Sequence, residues 1–251
     1  MARFFVDELP RQGTLYSLTG ENAEHAKVLR LRPGEIVTLC DGNGLDCPCT
    51  VAEGGVLIAG PSLPCPAEPR ARVAVYLAFP KADKAEHVIQ KAVELGAAEV
   101  VLFPSRYCVS RPDAKSLGKK LDRWQKIARS AAEQSRRGVI PPVRALDSYA
   151  EALAEAAKAD APILFYENEE RYSLHDTLAG IEGGGLRSGR PTARDPRVSL
   201  MTGSEGGFSE EEIAQARAAG LKICTLGPRI LRCETAPLAG LTAVMYALGE
   251  L

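Results

Sequence analysis

The sequence predicts an α/β fold in which a mostly parallel sheet carries helices on both faces, preceded by a smaller β-rich domain. Three observations support this. From Val73 onward strand-like and helix-like segments alternate, the pattern that builds parallel sheets through crossover helices. Ahead of them, residues 1 to 70 read as short strands separated by turns, as in a small β-barrel. Between the two, Pro61, Pro64, Pro66 and Pro69 form a stiff connection, which divides the chain into domains 1–70 and 71–251.

In the first domain, strands are expected over 4–6, 15–17, 36–40, 45–51 and 56–59, with a tight turn at Asp41-Gly42-Asn43-Gly44. One helix, over 21–30, interrupts them. Its end and the residues after it carry His25, Lys27, Arg30 and Arg32, cations that suit a polyanion, although a solvated helix end has the same composition.

The second domain opens with a strand over 73–79. A helix over 83–95 follows, with Ala85, Val88, Ile89, Ala92 and Val93 at helical spacing, Asp83 and Glu86 as caps, and Gly96 at its end. A strand over 99–103, helices over 116–137 and 149–159, and a strand over 163–166 come next. The segment 183–197 is rich in Gly, Arg and Pro and reads as a mobile loop.

Two units of strand, glycine-bearing loop and helix close the chain. The strand over 198–202 runs into Gly203-Ser204-Glu205-Gly206-Gly207. Ser209 and Glu212 then form a capping box for a helix over 210–219, and Gly220 suits its left-handed end. The strand over 222–226 runs into a loop from Gly227 to Thr235, a candidate N-cap for a final helix. Pro237 fits the first turn of that helix, and Leu238, Leu241, Val244, Met245 and Leu248 form an apolar stripe along it. Ligands of open α/β sheets gather at the carboxyl ends of strands, so these two loops are the expected site.

Composition narrows the chemistry. Net charge is −1, but residues 104–144 hold eleven Lys and Arg against three acidic residues, a local charge of +8. Such a block neutralises phosphates or forms a solvated helix face. Seven cysteines, an odd number, suit a reducing compartment, and no apolar run approaches membrane length, so a soluble cytoplasmic protein is expected. Cys40, Cys47, Cys49 and Cys65 match no usual zinc spacing, and no metal site is expected. The first strand of the second domain leads into Phe79-Pro80-Lys81 without a glycine, and no G-x-x-x-x-G-K-[ST] stretch occurs, which argues against a dinucleotide or nucleoside triphosphate.

Four stretches, in order, carry a family resemblance: Lys81-Ala82-Asp83-Lys84 with Gln90-Lys91-Ala92-Val93-Glu94-Leu95-Gly96; Arg123-Trp124-Gln125-Lys126 with Glu133-Gln134-Ser135-Arg136; Gly203 to Phe208; and Leu226 to Ala236. With His25 to Gly34 in a PUA-like N-terminal domain, the chain resembles the RsmE family of SPOUT methyltransferases almost end to end. That family methylates N3 of a uridine in the 16S ribosomal RNA of the small subunit, using S-adenosylmethionine. The resemblance implies a SPOUT-type parallel sheet with a C-terminal trefoil knot, and a homodimer formed through the C-terminal helix region.

The resemblance also implies a cofactor site formed by Leu77, Phe79, Thr202, Gly203, Glu205, Gly206, Gly207, Leu226, Gly227, Ile230, Leu231, Arg232 and Thr235. Uridine N3 carries a proton that must leave. Arg232 offers a fixed fork of donors for negative charge on a uracil carbonyl, and Glu234 or Glu205 is positioned to assist proton removal. The plainer reading is a structural ion pair for Arg232 and a capping or loop-binding role for Glu205. Arg30, Arg32, Arg106, Arg111, Arg136 and Arg137 are the expected RNA contacts. Two positions depart from the family pattern, Ser204 where proline is usual and Cys233 where threonine is usual. The competing functions are a non-catalytic RNA-binding ribosome-assembly factor and a SPOUT methyltransferase acting on another RNA.

Overall fold

The computed structural model describes residues 2–181 and 196–251. Most of the glycine-rich segment 183–197 therefore lies outside the described residues, and its last residue, Arg197, opens a strand. Contacts divide the chain into two compact units, Met1–Glu68 with Arg129–Ile140, and Pro69–Ala128 with Pro141–Leu251.

The first unit is built on one sheet. Its strands are β1 (Arg3–Phe5), β2 (Leu15–Tyr16), β3 (Ile36–Cys40), β4 (Leu45–Val51), β5 (Leu57–Ala59) and β6 (Leu63–Pro64), paired in the order β1-β3-β4-β5-β2 with β6 on β4. Only β1 and β3 run parallel. Alternation along β3 and β4 buries Phe4, Val37, Leu39, Cys47, Cys49, Val51, Leu57 and Ala59 as one core. The Arg3 guanidinium grips Asp46 in a fork, at 2.6 and 2.8 Å, which satisfies both charges where the sheet excludes water. The proline-rich connection, read as strand-poor, contributes the two-residue β6, which pairs with Asp46 and Leu45. Pro64 fits there because the edge of a sheet needs no donor from it. Helix α1 (Gly20–Leu29) buries none of its residues and ends at Arg30 in the left-handed region, φ 52°.

The second unit is a six-stranded sheet in the order β12-β10-β11-β7-β8-β9, parallel throughout. The strands are β7 (Arg72–Ala78), β8 (Glu99–Phe103), β9 (Val143–Ala145), β10 (Ala161–Phe165), β11 (Arg197–Thr202) and β12 (Lys222–Cys224). Continuous burial along β7, β8, β10 and β11 is the signature of a sheet covered on both faces. The helices are α2 (Lys84–Glu94), α3 (Ala114–Gln134), α4 (Tyr149–Ala156), α5 (Leu174–Ile181), α6 (Glu210–Ala218) and α7 (Ala236–Ala247). β9 and α5 were not expected. β9 is three residues long with Arg144 at its centre, too short to show a period.

Several caps test the sequence reading. Ser209 and Glu212 form the expected box, the Glu212 amide donating to Ser209 Oγ at 3.3 Å and the Ser209 amide to Glu212 Oε2 at 2.9 Å. Asp83 makes no side-chain cap to α2. Its φ of −89° and ψ of 8° depart from the extended backbone that lets a capping side chain reach the first turn. On α7, Leu241, Val244 and Met245 of the apolar stripe are buried within the unit, while Tyr246 is 75% exposed. Gly240 lets that helix close on β10, since a Cβ there would overlap the Phe165 ring. No described helix is long and apolar enough to cross a membrane.

Candidate active site

Because β12, β10 and β11 are parallel neighbours, the loops that leave their carboxyl ends emerge side by side. Together they enclose a cleft of ≈ 720 Å³, lined from β10 by Phe165, Tyr166 and Glu167, from β11 by Thr202 to Glu205 with Gly207, and from β12 by Thr225 to Cys233. The glycines are required by geometry. A Cβ at Gly203 would stand 2.9 Å from Gly207 Cα, and Gly207 itself has φ +65° and packs under the Glu167 carboxylate. Gly227, at φ +105°, turns the second loop.

Of the residues expected to hold a cofactor, Thr202, Gly203, Glu205, Gly207, Leu226, Gly227, Ile230, Leu231 and Arg232 line the cleft. Four do not. Leu77 has no exposed surface and belongs to the core, and Phe79 is buried with it. Gly206 packs beneath Tyr107, and Thr235 opens α7 without a side-chain cap. Residues from a third strand end, Phe165, Tyr166, Glu167, Glu169 and Glu170, were missed. The acidic run directly after an apolar strand was visible, but only the strand order puts it beside the glycine loops.

Lys84 is the other residue that sequence reasoning passed over. Standing at the first turn of α2, its Nζ lies 3.1 Å from Glu205 Oε1 and 3.1 Å from Glu234 Oε2. One ammonium thus ties the glycine loop to the loop before α7. The backbone amide of Lys81 also donates to Glu205 at 3.1 Å. Burial pushes both carboxyls up, but backbone amides and the Lys84 ammonium outweigh it, joined at Glu234 by the Cys233 thiol, and both pKa values end below the ordinary range. Lys84 is raised in turn by its bonds to Glu205 and Glu234. Burial and the neighbouring Glu234 push the Cys233 thiol up to about 12, so it is a poor nucleophile and serves as loop lining. The Arg232 carbonyl accepts from the amides of Thr235 and Ala236 at 2.8 and 2.9 Å, while its guanidinium, on the wall of the cleft, makes no ion pair or hydrogen bond with the described residues.

The expected RNA contacts separate by environment. Arg30, Arg32, Arg106, Arg111 and Arg136 are exposed. Arg106 pairs with the exposed Glu211 at 2.6 Å, and Arg111 donates to the carbonyls of Ser105 and Arg106. Arg137 is a correction: it is 4% exposed and held by Glu68 at 2.8 Å, so its charge is spent inside the first unit. Both arginines lie beyond the end of α3 at Gln134, and the left-handed backbone at Arg136, φ 64°, leaves that side chain exposed while the next one turns in to Glu68.

The residues present fit S-adenosylmethionine. The paired glycines open a floor that side chains would fill, the apolar Leu226, Ile230 and Leu231 offer walls for an adenine, and Ser204 Oγ is a buried hydroxyl without a described partner. A parallel α/β sheet with such a cleft at late, glycine-bearing strand ends is the arrangement that the resemblance to the SPOUT methyltransferases implies. Residues 67–245 match the family model described as an RNA methyltransferase domain, and residues 18–55 match an RNA methyltransferase PUA domain. The chain is 31% identical to ribosomal RNA small subunit methyltransferase E of Bacillus subtilis, over 98% of this chain and 96% of that protein. It is 34% identical to the protein of that name from Mycobacterium bovis, over 96% and 90%. The crystal structure of ribosomal RNA small subunit methyltransferase E from Neisseria gonorrhoeae, bound to S-adenosylmethionine, superposes with a TM-score of 0.79 at 32% identity, covering 98% of this chain and 97% of that one. The chain belongs to the ribosomal RNA small subunit methyltransferase E family.

Proposed function

We propose that the protein methylates N3 of a uridine in the 16S ribosomal RNA of the small subunit, using S-adenosylmethionine, in the cytoplasm. The observation that carries this reading is the cleft itself: two glycine loops joined through Lys84, with the unpaired guanidinium of Arg232 on its wall.

S-adenosylmethionine, when bound, supplies a methyl group already activated on a sulfonium. The protein's work is to orient the uracil and manage the proton at N3. Arg232 has its donors available to a uracil carbonyl, where charge collects as N3 becomes nucleophilic. Glu205 and Glu234 share the single Lys84 ammonium and are held below the ordinary carboxylate range, which makes them weak bases. The geometry therefore favours stabilisation of the ring anion by Arg232, with solvent taking the proton, over direct abstraction by either glutamate.

Residues 1–70 are the proposed RNA-binding domain, and residues 71–251 the catalytic one. Arg30, Arg32, Arg106, Arg111 and Arg136 are the proposed phosphate contacts. The exposed Arg106–Glu211 pair is of the kind that costs little to exchange for a phosphate. A homodimer through α7 accords with the exposure of Tyr246 on that helix, and a C-terminal knot accords with the packing of α7 against α2, β7 and β11.

The test is transfer of labelled methyl from S-adenosylmethionine to small subunits lacking the modification, followed by nucleoside analysis. Label in 3-methyluridine is expected. Binding to the subunits without transfer would replace this reading with that of an assembly factor.

A further inference from the structure

Three of the carboxylates around the cleft are held by cations, and two, Glu167 and Glu170, are not. Glu205 and Glu234 share Lys84, and Glu169 is bound to Arg217. Glu167 lines the cleft directly after β10, and no hydrogen bond or ion pair joins it to a described residue. It lies against Gly207, where a Cβ would overlap one carboxylate oxygen and stand 3.2 Å from Cδ and 3.3 Å from the other oxygen. Gly207 is thus the glycine that makes room for this side chain. Beneath the same loop, Ser204 is 5% exposed and its hydroxyl has no described partner, so the loop carries polar capacity that the protein itself leaves unused.

A carboxylate seated on a ligand-binding glycine, without a cation of its own, attracts positive charge in the ligand. We propose that Glu167 is the residue that recognises the cationic part of the cofactor, its sulfonium or its ammonium. This rests on the assignment of the cleft to S-adenosylmethionine. The neighbouring Glu170 lines the same cleft but lacks that contact.

The experiment compares binding of S-adenosylmethionine, S-adenosylhomocysteine and methylthioadenosine to the full-length wild type and to Glu167→Gln by calorimetry. The three ligands share the adenosine. The first carries sulfonium and ammonium, the second ammonium only, and the third neither. Loss of about tenfold in affinity for S-adenosylmethionine, the scale of one charge-assisted hydrogen bond, with methylthioadenosine unchanged, is the expected result. A parallel loss for S-adenosylhomocysteine assigns the ammonium, and its absence assigns the sulfonium. Equal losses for all three ligands, or no loss for the first, would overturn the proposal while leaving the cofactor reading intact. Failure of the wild type to bind any of them would overturn both. The methylthioadenosine arm reports that the variant is folded.

Discussion

The ammonium of Lys84 stands 3.1 Å from the carboxylate of Glu234, and the same ammonium is equally close to Glu205. Two loops that leave different strands are therefore held by one counter-charge. In Lys84→Met the carboxylates lose it and face each other unneutralised. Methyl transfer is expected to fall about tenfold or more, the size of a lost charge-assisted bond, with both glutamates titrating higher. A kcat–pH profile unchanged from wild type would remove Lys84 from the site's electrostatics.

Arg232→Ala is expected to lower kcat by roughly a hundredfold to a thousandfold, the range for one lost donor to a developing oxyanion, while affinity for S-adenosylmethionine changes little. Arg232→Lys is expected to rescue poorly, because an ammonium lacks the planar fork. Single-turnover methylation with saturating RNA separates this from a binding defect.

Acid sensitivity follows from the same cluster. Glu205 and Glu234 have folded pKa values below the ordinary 4.5. Their contribution to stability is present above that unfolded value and is lost as pH falls through the folded ones. Lys84 has the opposite sign: its raised pKa contributes fully below 10.5 and fades only as pH climbs through the higher folded value. Urea denaturation from neutral pH to about pH 3 should show a shallower loss in Glu205→Gln/Glu234→Gln than in wild type.

Arg137 and Arg136 are expected to part company. Arg137→Ala removes the cation from a partly buried Glu68, which keeps only the amides of Gly138 and Val139, and should cost about 1 to 3 kcal/mol, read from the denaturation midpoint. Arg136→Ala should leave stability nearly unchanged and reduce the slope of RNA affinity against salt by about one phosphate's worth.

At Gly240 a methyl group has nowhere to go except into the Phe165 ring. Gly240→Ala is expected to destabilise the protein by about 1 to 3 kcal/mol, as overpacked cores do. A rise in melting temperature would mean that α7 shifts freely over β10.

How much of this was legible in the sequence varies with the range of the interaction. The capping box of Ser209 and Glu212 is a four-residue event, and the chain states it outright. The glycine loops were readable as ligand-bearing because glycine at a strand end has few other uses. The contribution of β10 was not readable, since Tyr166 and Glu167 reach the cleft only through a strand order that interleaves distant segments. Lys84 was hidden for the same reason: it lies 121 positions from Glu205 and 150 from Glu234, the two carboxylates that share it. Arg137 was misjudged because a basic run does not reveal which members have already found an acid.

The order β10-β11-β7 has a consequence for how the protein is made. β7 and β10 leave the ribosome first, and the strand that belongs between them is synthesised last of the three. Until β11 enters, both flanking strands present an open hydrogen-bonding edge of strongly apolar sequence, the kind of template that recruits other chains. Newly synthesised protein should therefore depend on chaperones over this interval, and a fragment ending before Arg197 should aggregate rather than persist as a smaller soluble sheet.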